Sequence, residues 1–178
     1  MSRLRWGLWL LVALVAGLFA LFAVQLSRPK SDFVESAMVG KPVPEFALEP
    51  AVDIRPGLSS TDFADGKPRL LNIFASWCVP CAAEAPQLAA LEQQGAEIVA
   101  VAIRDRPQDV AAFLRAYGNP FSRIGADEIS QVQLDLGSSG VPETFVIDGK
   151  GVIRYQHIGD IRDSDVPKLL EELRKAGA

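Results

Sequence analysis

Apolar residues in this chain fall into blocks of three kinds, and each kind predicts a different element. The first is a run of 19 residues without a charge, Trp6 to Val24. At about 1.5 Å of rise per residue it makes a helix of roughly 28 Å, close to the hydrocarbon thickness of a bilayer. The second kind is short and nearly continuous. Arg69 to Ser76 (RLLNIFAS) and Ala96 to Ile103 (AEIVAVAI) are of this kind and suit strands buried on both faces. The third kind has helical character. Leu88 and Leu91 lie at helical spacing in an Ala-rich segment, and Pro107 to Tyr117 (PQDVAAFLRAY) carries a proline in its first turn. Asp165 to Ala176 (DVPKLLEELRKA) is amphipathic, with Lys175 and Gly177 suited to its C-terminus.

Shorter signals fill the gaps. Phe121 to Ile124 predicts a short strand, Glu128 to Leu136 a short helix, and Ser59 to Phe63 a small element ahead of the first central strand. Glu143 to Ile147 (ETFVI) and Val152 to His157 flank Asp148-Gly149-Lys150-Gly151, a hairpin signal. The order β-α-β-α-(β)-α-β-β-α predicts an α/β domain whose sheet begins with parallel crossovers and ends with an antiparallel hairpin, with helices on both faces. Ahead of it, SRPKSDFVESAMVGKP is polar and interrupted by Pro29 and Pro42, as a tether is. The expected organisation is an anchor at residues 1–27, a tether at 28–40 and a globular domain at 41–178.

Charge sharpens this picture in two places. The first run exits through Leu21-Phe22-Ala23-Val24-Gln25, which fits no A-x-A cleavage pattern, so an uncleaved anchor is the preferred reading over a cleaved signal or a buried soluble helix. Arg3 and Arg5 favour a cytoplasmic N-terminus, but Arg28 and Lys30 follow closely, so charge leans only slightly towards a domain outside the cytoplasm. From Arg28 onward there are 16 basic and 22 acidic residues, a net of −6. That balance argues against nucleic acid and suits a basic or neutral polypeptide partner.

The chain has two cysteines, Cys78 and Cys81, in FASWCVPCAAEAP. As a structural staple C-x-x-C closes a very short loop and gains little, and a domain of about 140 residues does not need it. As a zinc site it lacks ligands: there is no second C-x-x-C, and the only histidine, His157, lies in a predicted strand with an ordinary surface or packing role. The redox reading has positive support. Cys78 follows a buried strand and starts a helix, where unpaired N–H groups and the helix dipole stabilise a thiolate. Cys81 lies about one turn on, on the same face and within reach for a disulfide. Cys78 is expected to be the exposed attacking sulfur and Cys81 the deeper, resolving one. Pro80 is tolerated in the first turn, and Trp77 can shield one side of the nucleophile and offer a contact surface.

These residues resemble a known family. Trp77-Cys78-Val79-Pro80-Cys81 after LLNIFAS looks like the active site of the thioredoxin superfamily. Pro86 resembles the proline that kinks that family's active-site helix, and Val141-Pro142 before ETFVI resembles its cis-proline. The resemblance implies a thioredoxin-like fold with an N-terminal extension and a central insertion. It also implies a cis bond at Pro142 that leaves the backbone of Val141 free to pair with a bound peptide as an added strand. GKPVPEFAL, GNPF and LDLGSSGVPETFVIDGKGVIRYQHIGD narrow the match to the membrane-anchored DsbE/CcmG group of cytochrome c maturation. Members of that group are periplasmic, tethered to the inner membrane and reductive. They deliver electrons to apocytochrome c cysteines or to a partner thiol protein, and a transmembrane thiol reductant recharges them. One departure stands out: Ser138-Ser139 replace a Val-Tyr pair, which removes an aromatic groove wall.

The resemblance also suggests supporting residues. Thioredoxins proper place a buried Asp where this chain has Asn72, and Asn cannot serve as a base. Glu84, one turn after Cys81, and Glu143, just after Pro142, match acidic positions of the group. Glu84 is the candidate proton acceptor and Glu143 the candidate for tuning thiol pKa values. The segment Arg104 to Ser139 exceeds a simple crossover. It reads as a helical insertion, or as part of a partner groove in which Asp127-Glu128 meet a basic partner. The exchange needs no bound cofactor or metal. The alternatives are a general periplasmic reductase of the TlpA or ResA kind, and a thioredoxin-fold binding module with an incidental dithiol. A peroxidase is not expected, because the P-x-x-x-T-x-x-C setting of peroxiredoxins is absent before Cys78.

Overall fold

The structure, a computed structural model, describes residues 2–26 and 37–178. Most of the tether expected at 28–40 lies outside the described residues. The chain forms two compact units. The first is helix α1, Ser2–Leu26, of 25 residues. Its described side chains, Trp6, Leu10, Leu14, Phe19 and Phe22 among them, are apolar and exposed. Among the described residues, no helix is long and apolar enough to cross a membrane.

The second unit is built on a five-stranded sheet. Strands β3 (Arg69–Phe74), β4 (Ile98–Ile103), β5 (Arg123–Asp127), β6 (Glu143–Ile147) and β7 (Ile153–Ile158) lie in the order β5-β4-β3-β6-β7. β3 pairs parallel with β4, and β4 with β5, while β6 and β7 are antiparallel. Every residue of β3, β4 and β6 is buried, as continuous apolar runs require of strands covered on both sides. A two-stranded ribbon, β1 (Ala47–Leu48) with β2 (Leu58–Ser59), and a 3-10 turn at Ser60–Phe63 precede the sheet. Domain contacts begin ahead of Lys41: the Gly40 N–H donates to Ile153 C=O.

Helices α2 (Val79–Ala83) and α3 (Ala85–Gln93) link β3 to β4, and α4 (Pro107–Tyr117) links β4 to β5. Both crossovers advance in one direction, so right-handed connections place α3 and α4 on the same face of the sheet. The last helix, α6 (Val166–Ala176), packs beside α3. The opposite face over β5 is covered by the ribbon: Asn72, Ala100 and Ile124 are register partners, so Gly125 points the other way. A side chain there would collide with Leu48 and Leu58.

Two boundaries that differ from the sequence reading do so for a physical reason. The strand expected at 121–124 starts at Arg123, because Phe121 leaves the ladder to stack on Phe74 at a centroid distance of 5.2 Å. The helix expected at 128–136 shrinks to α5, Gln131–Asp135, which the Asp127 carboxylate caps by accepting from the amides of Gln131 (2.8 Å) and Gln133 (3.0 Å). Asp127 is thereby buried and occupied, so it does not face a partner as expected; Glu128 alone of that pair is exposed. The segment 104–139, expected as an insertion, supplies the crossover α4 and the edge strand β5.

The β6–β7 turn is held against the loop before β3, where the Gly66 N–H donates to Gly149 C=O at 3.0 Å. A Cβ on Gly149 would overlap the Gly66 backbone, which cannot swing aside as a side chain could. Gly149→Ala should therefore lower stability by about 2–3 kcal/mol in urea denaturation, with the midpoint falling and the slope unchanged.

Candidate active site

The central strand β3 ends at Phe74, and the chain must turn there to begin α2. Asp105, in the loop after the neighbouring strand β4, clamps that turn. Its carboxylate accepts from the Ser76 amide (2.5 Å) and from Ser76 Oγ (2.7 Å), and the Cys78 N–H donates to Ala75 C=O (3.1 Å). The sequence reading missed Asp105. Its signal is an acid two residues past the end of a parallel strand, opposite a serine two residues past the end of the next.

Cys78 occupies the N-cap of α2 and is joined by a disulfide to Cys81, with 5.3 Å between the Cα atoms. Its Sγ accepts from the Cys81 amide at 3.1 Å. A sulfur at an N-cap sits where the free amides of the first turn point, and this favours a thiolate when the bond is reduced. Both cysteines are buried in the disulfide form, Cys78 with 5 % of its surface exposed and Cys81 with 2 %. The expected exposed attacking sulfur is thus only slightly more open than its neighbour, because Sγ turns inward to bond Cys81 and to accept from its amide. Trp77 and Val79 on either side are exposed, and Trp77 Nε1 donates to Arg104 C=O at 3.3 Å.

The Val141–Pro142 peptide is cis. Glu143 pairs with Ile73, so Pro142 stands beyond Ile73, level with the end of β3 and the cysteine turn. Pro142 C=O accepts from the Gly159 amide at 3.0 Å, whereas the N–H and C=O of Val141 have no hydrogen-bond partner among the described residues.

Glu84 breaks the helix that follows the cysteines into α2 and α3, with Pro86 in the first turn of α3. Its side chain has no exposed surface. Oε1 accepts from Asn72 Nδ2 and Oε2 from the Ile161 amide, each at 2.9 Å. Burial pushes its pKa up to about 7, against the two hydrogen bonds, which favour the charged form. Glu84, Asn72 and Cys81 share a crevice of about 10 Å³ walled by Phe74, Phe113 and Phe121, room for one water. Asn72 is the clamp of this group. It also donates to Thr144 Oγ1 at 3.0 Å, and its Oδ1 is buried without a partner among the described residues.

Glu143 is placed differently. Thr144 lies on the Asn72 face of the sheet, so Glu143 points to the opposite face. It is buried, and its oxygens accept from the Ser139 amide (2.9 Å), Ser139 Oγ (2.8 Å) and Gln156 Nε2 (3.0 Å). Glu143 therefore holds the loop ahead of the cis peptide and does not share the crevice of Cys81. Ser138 closes the same loop by donating to Gly140 C=O at 3.0 Å. Among the described residues, no three His, Cys, Asp or Glu side chains gather where they could hold a metal ion.

An exchangeable disulfide where a buried strand feeds a helix, in a mixed sheet of this order, makes the chain a thiol:disulfide oxidoreductase with a thioredoxin-like fold. Comparison with known proteins narrows the class. The model of the Redoxin family matches residues 38–173. The thiol:disulfide interchange protein HelX of Rhodobacter capsulatus is 40% identical over 152 residues, covering 85% of each chain. The thiol:disulfide interchange protein DsbE of Escherichia coli is 39% identical over 149 residues, covering 82% of this chain and 80% of its own. Among solved structures, one described as a DsbE from Chlorobium tepidum superposes with a TM-score of 0.68 at 27% identity, covering 79% of this chain and 98% of its own. The chain belongs to the Redoxin family, among the thiol:disulfide interchange proteins of the DsbE and HelX kind.

The raised pKa of Glu84 carries a stability consequence. An acid whose folded value lies above its unfolded value contributes stability that is full below about 4.5 and is lost as the pH rises through about 7. At pH 8 the buried charge costs roughly 3 kcal/mol relative to the neutral form. Glu84→Gln, neutral throughout, should be about 1–3 kcal/mol more stable than the parent at pH 8 and gain nothing at pH 4. Denaturant midpoints of the oxidised protein at the two pH values check this, and an equal gap at both would contradict it.

Proposed function

We propose that the protein is tethered to the bacterial inner membrane with its domain in the periplasm, where it reduces disulfides of apocytochrome c or of a maturation partner before haem attachment. In this division residues 1–27 form the anchor, 28–40 the tether and 41–178 the reducing domain. The uncharged run Trp6 to Val24 and the exposed apolar side chains of α1 support the anchor, since a helix apolar on every side calls for lipid around it. The periplasmic and reductive assignments rest on the resemblance to the DsbE/CcmG group. The observation that carries the chemistry is Cys78 Sγ at the N-cap of α2, with the buried Glu84 beside Cys81.

Cys78 is the nucleophile. Its thiolate attacks one sulfur of the partner's disulfide; that bond breaks, a mixed disulfide forms and the partner's second sulfur leaves as a thiolate that takes up a proton. Cys81 then loses its proton to Glu84 and attacks Cys78 Sγ. The Cys78–Cys81 disulfide forms, the mixed disulfide breaks and the partner's first sulfur leaves as a thiolate that takes up the second proton, so the partner departs as a dithiol, having gained two electrons and two protons. A transmembrane thiol reductant returns the pair to the dithiol form. The open N–H and C=O of Val141, beside cis-Pro142, take the partner's backbone as an added strand, and Trp77 covers the joined sulfurs. Haem goes to the substrate; this chain has Ala82 after Cys81 and hence no Cys-x-x-Cys-His of its own.

Two outcomes test this reading. Cys81→Ser in the full-length protein should hold apocytochrome c or a maturation thiol protein as a mixed disulfide on Cys78, released by reductant. A broad, unselective set of captured proteins would favour a general reductase of the TlpA or ResA kind, and none at all would leave a binding module. In the second, the rate of partner release should rise with pH through about 7 as Glu84 becomes able to accept the proton. Glu84→Gln should remove that ionisation and slow release by about tenfold or more at pH 8; an unchanged pH profile would remove Glu84 from the mechanism.

A further inference from the structure

We propose that the groove beside Trp77 is a partner-recognition subsite, in which Arg104 binds an acidic side chain of the polypeptide whose disulfide is exchanged on Cys78. The inference deepens the function proposed above and rests on it. Strands β4 and β6 flank β3 on opposite sides. Arg104 follows β4 and Val141 precedes β6, so the two bracket the cysteine turn. A partner segment that adds its backbone at Val141 and places its cysteine on Cys78 continues, at about 3.3 Å per extended residue, towards Arg104.

A groove is there to receive it. It is open, encloses about 690 Å³, and is lined by Trp77, Arg104, Arg106, Asp109, Phe113 and Tyr117. Trp77 and Tyr117 are each more than half exposed, 57 % and 51 %, and present aromatic surface for apolar side chains. Arg104 adopts φ 46°, a left-handed backbone that glycine takes easily and arginine does not. Two bonds hold it there: its N–H donates to Asp127 C=O at 3.0 Å, and its C=O accepts from Trp77 Nε1 at 3.3 Å. The backbone of Arg104 is thus fixed to the residue that precedes the nucleophile.

The charges around it leave one cation over. Asp105 is occupied by Ser76 and by the Arg106 amide, and Arg106 Nε pairs with Asp109 at 2.5 Å. The Arg104 guanidinium has no hydrogen bond or ion pair among the described residues. A guanidinium fork matches a carboxylate with two parallel bonds, which makes an acidic side chain its complement. The acidic net charge of the domain acts at long range on the partner as a whole; Arg104 acts locally and sets the register of the segment beside the disulfide.

The test uses the full chain, reduced, in detergent, with disulfide-bonded peptides that carry Glu, Gln or Lys at each of four positions on either side of the reacting cysteine. The readout is the Glu to Gln ratio of kcat/KM, independent of absolute rate. At low salt the parent should favour Glu about three- to fivefold at one or two positions, and the preference should shrink in high salt. Arg104→Gly, which keeps the left-handed backbone, should bring the ratio to about 1; Arg104→Lys should keep part of it, and Arg104→Glu should place Lys above Glu. A parent ratio of 1 with turnover intact, or a ratio that survives Arg104→Gly, overturns the inference alone. Failure to reduce any peptide overturns the proposed function and this inference with it.

Discussion

A carboxylate with no exposed surface lies beside the resolving cysteine, and much of the site follows from what is needed to keep it there. Burying an ionisable group is tolerable only when donors reach it or when it takes up a proton, and Glu84 does both. Its two donors come from distant parts of the chain, Asn72 in the central strand and Ile161 in the segment before α6. The acid therefore ties together β3, the break between α2 and α3, and the approach to the last helix. The break keeps α2 to a single turn, and Cys81 faces the crevice that Glu84 and Asn72 share.

The opposite face of the sheet holds a second acid with a different task. Glu143 accepts every donor that Ser139 offers and one from Gln156, and so fixes the loop that delivers the cis peptide. Where the DsbE/CcmG group often has a Val-Tyr pair, this chain has Ser138-Ser139, and the hydroxyls replace apolar packing with a polar lock. The loop stays closed on its own side while the backbone of Val141 stays open on the other. The two buried acids are thus separated by the thickness of one strand, because neighbouring residues Glu143 and Thr144 face opposite ways.

The strand order sets what surrounds the sulfurs. A parallel neighbour on one side of β3 contributes the loop with Asp105 and Arg104; an antiparallel neighbour on the other contributes the cis-proline loop. Asp105 holds the turn that leads into Cys78, and Trp77 leans on the carbonyl of Arg104. Three loops, from three adjacent strands, meet at one end of the sheet.

Much of this was legible in the order of residues alone. The buried runs at 69–76 and 96–103, the helix at Pro107, the hairpin around Gly149 and the amphipathic C-terminal helix are local patterns, written in hydrophobic spacing and turn residues. The redox pair was legible for the same reason: two sulfurs three residues apart at a helix start are within reach whatever the rest of the chain does. Tertiary structure alone decided that Phe121 stacks on Phe74 and leaves its strand, that Asp127 caps a helix and does not meet a partner, and that Glu84 but not Glu143 shares the crevice of Cys81. Those outcomes depend on which residue of one strand lies opposite which residue of another. Register of that kind is set by contacts summed over the whole core, and no short stretch of sequence contains it.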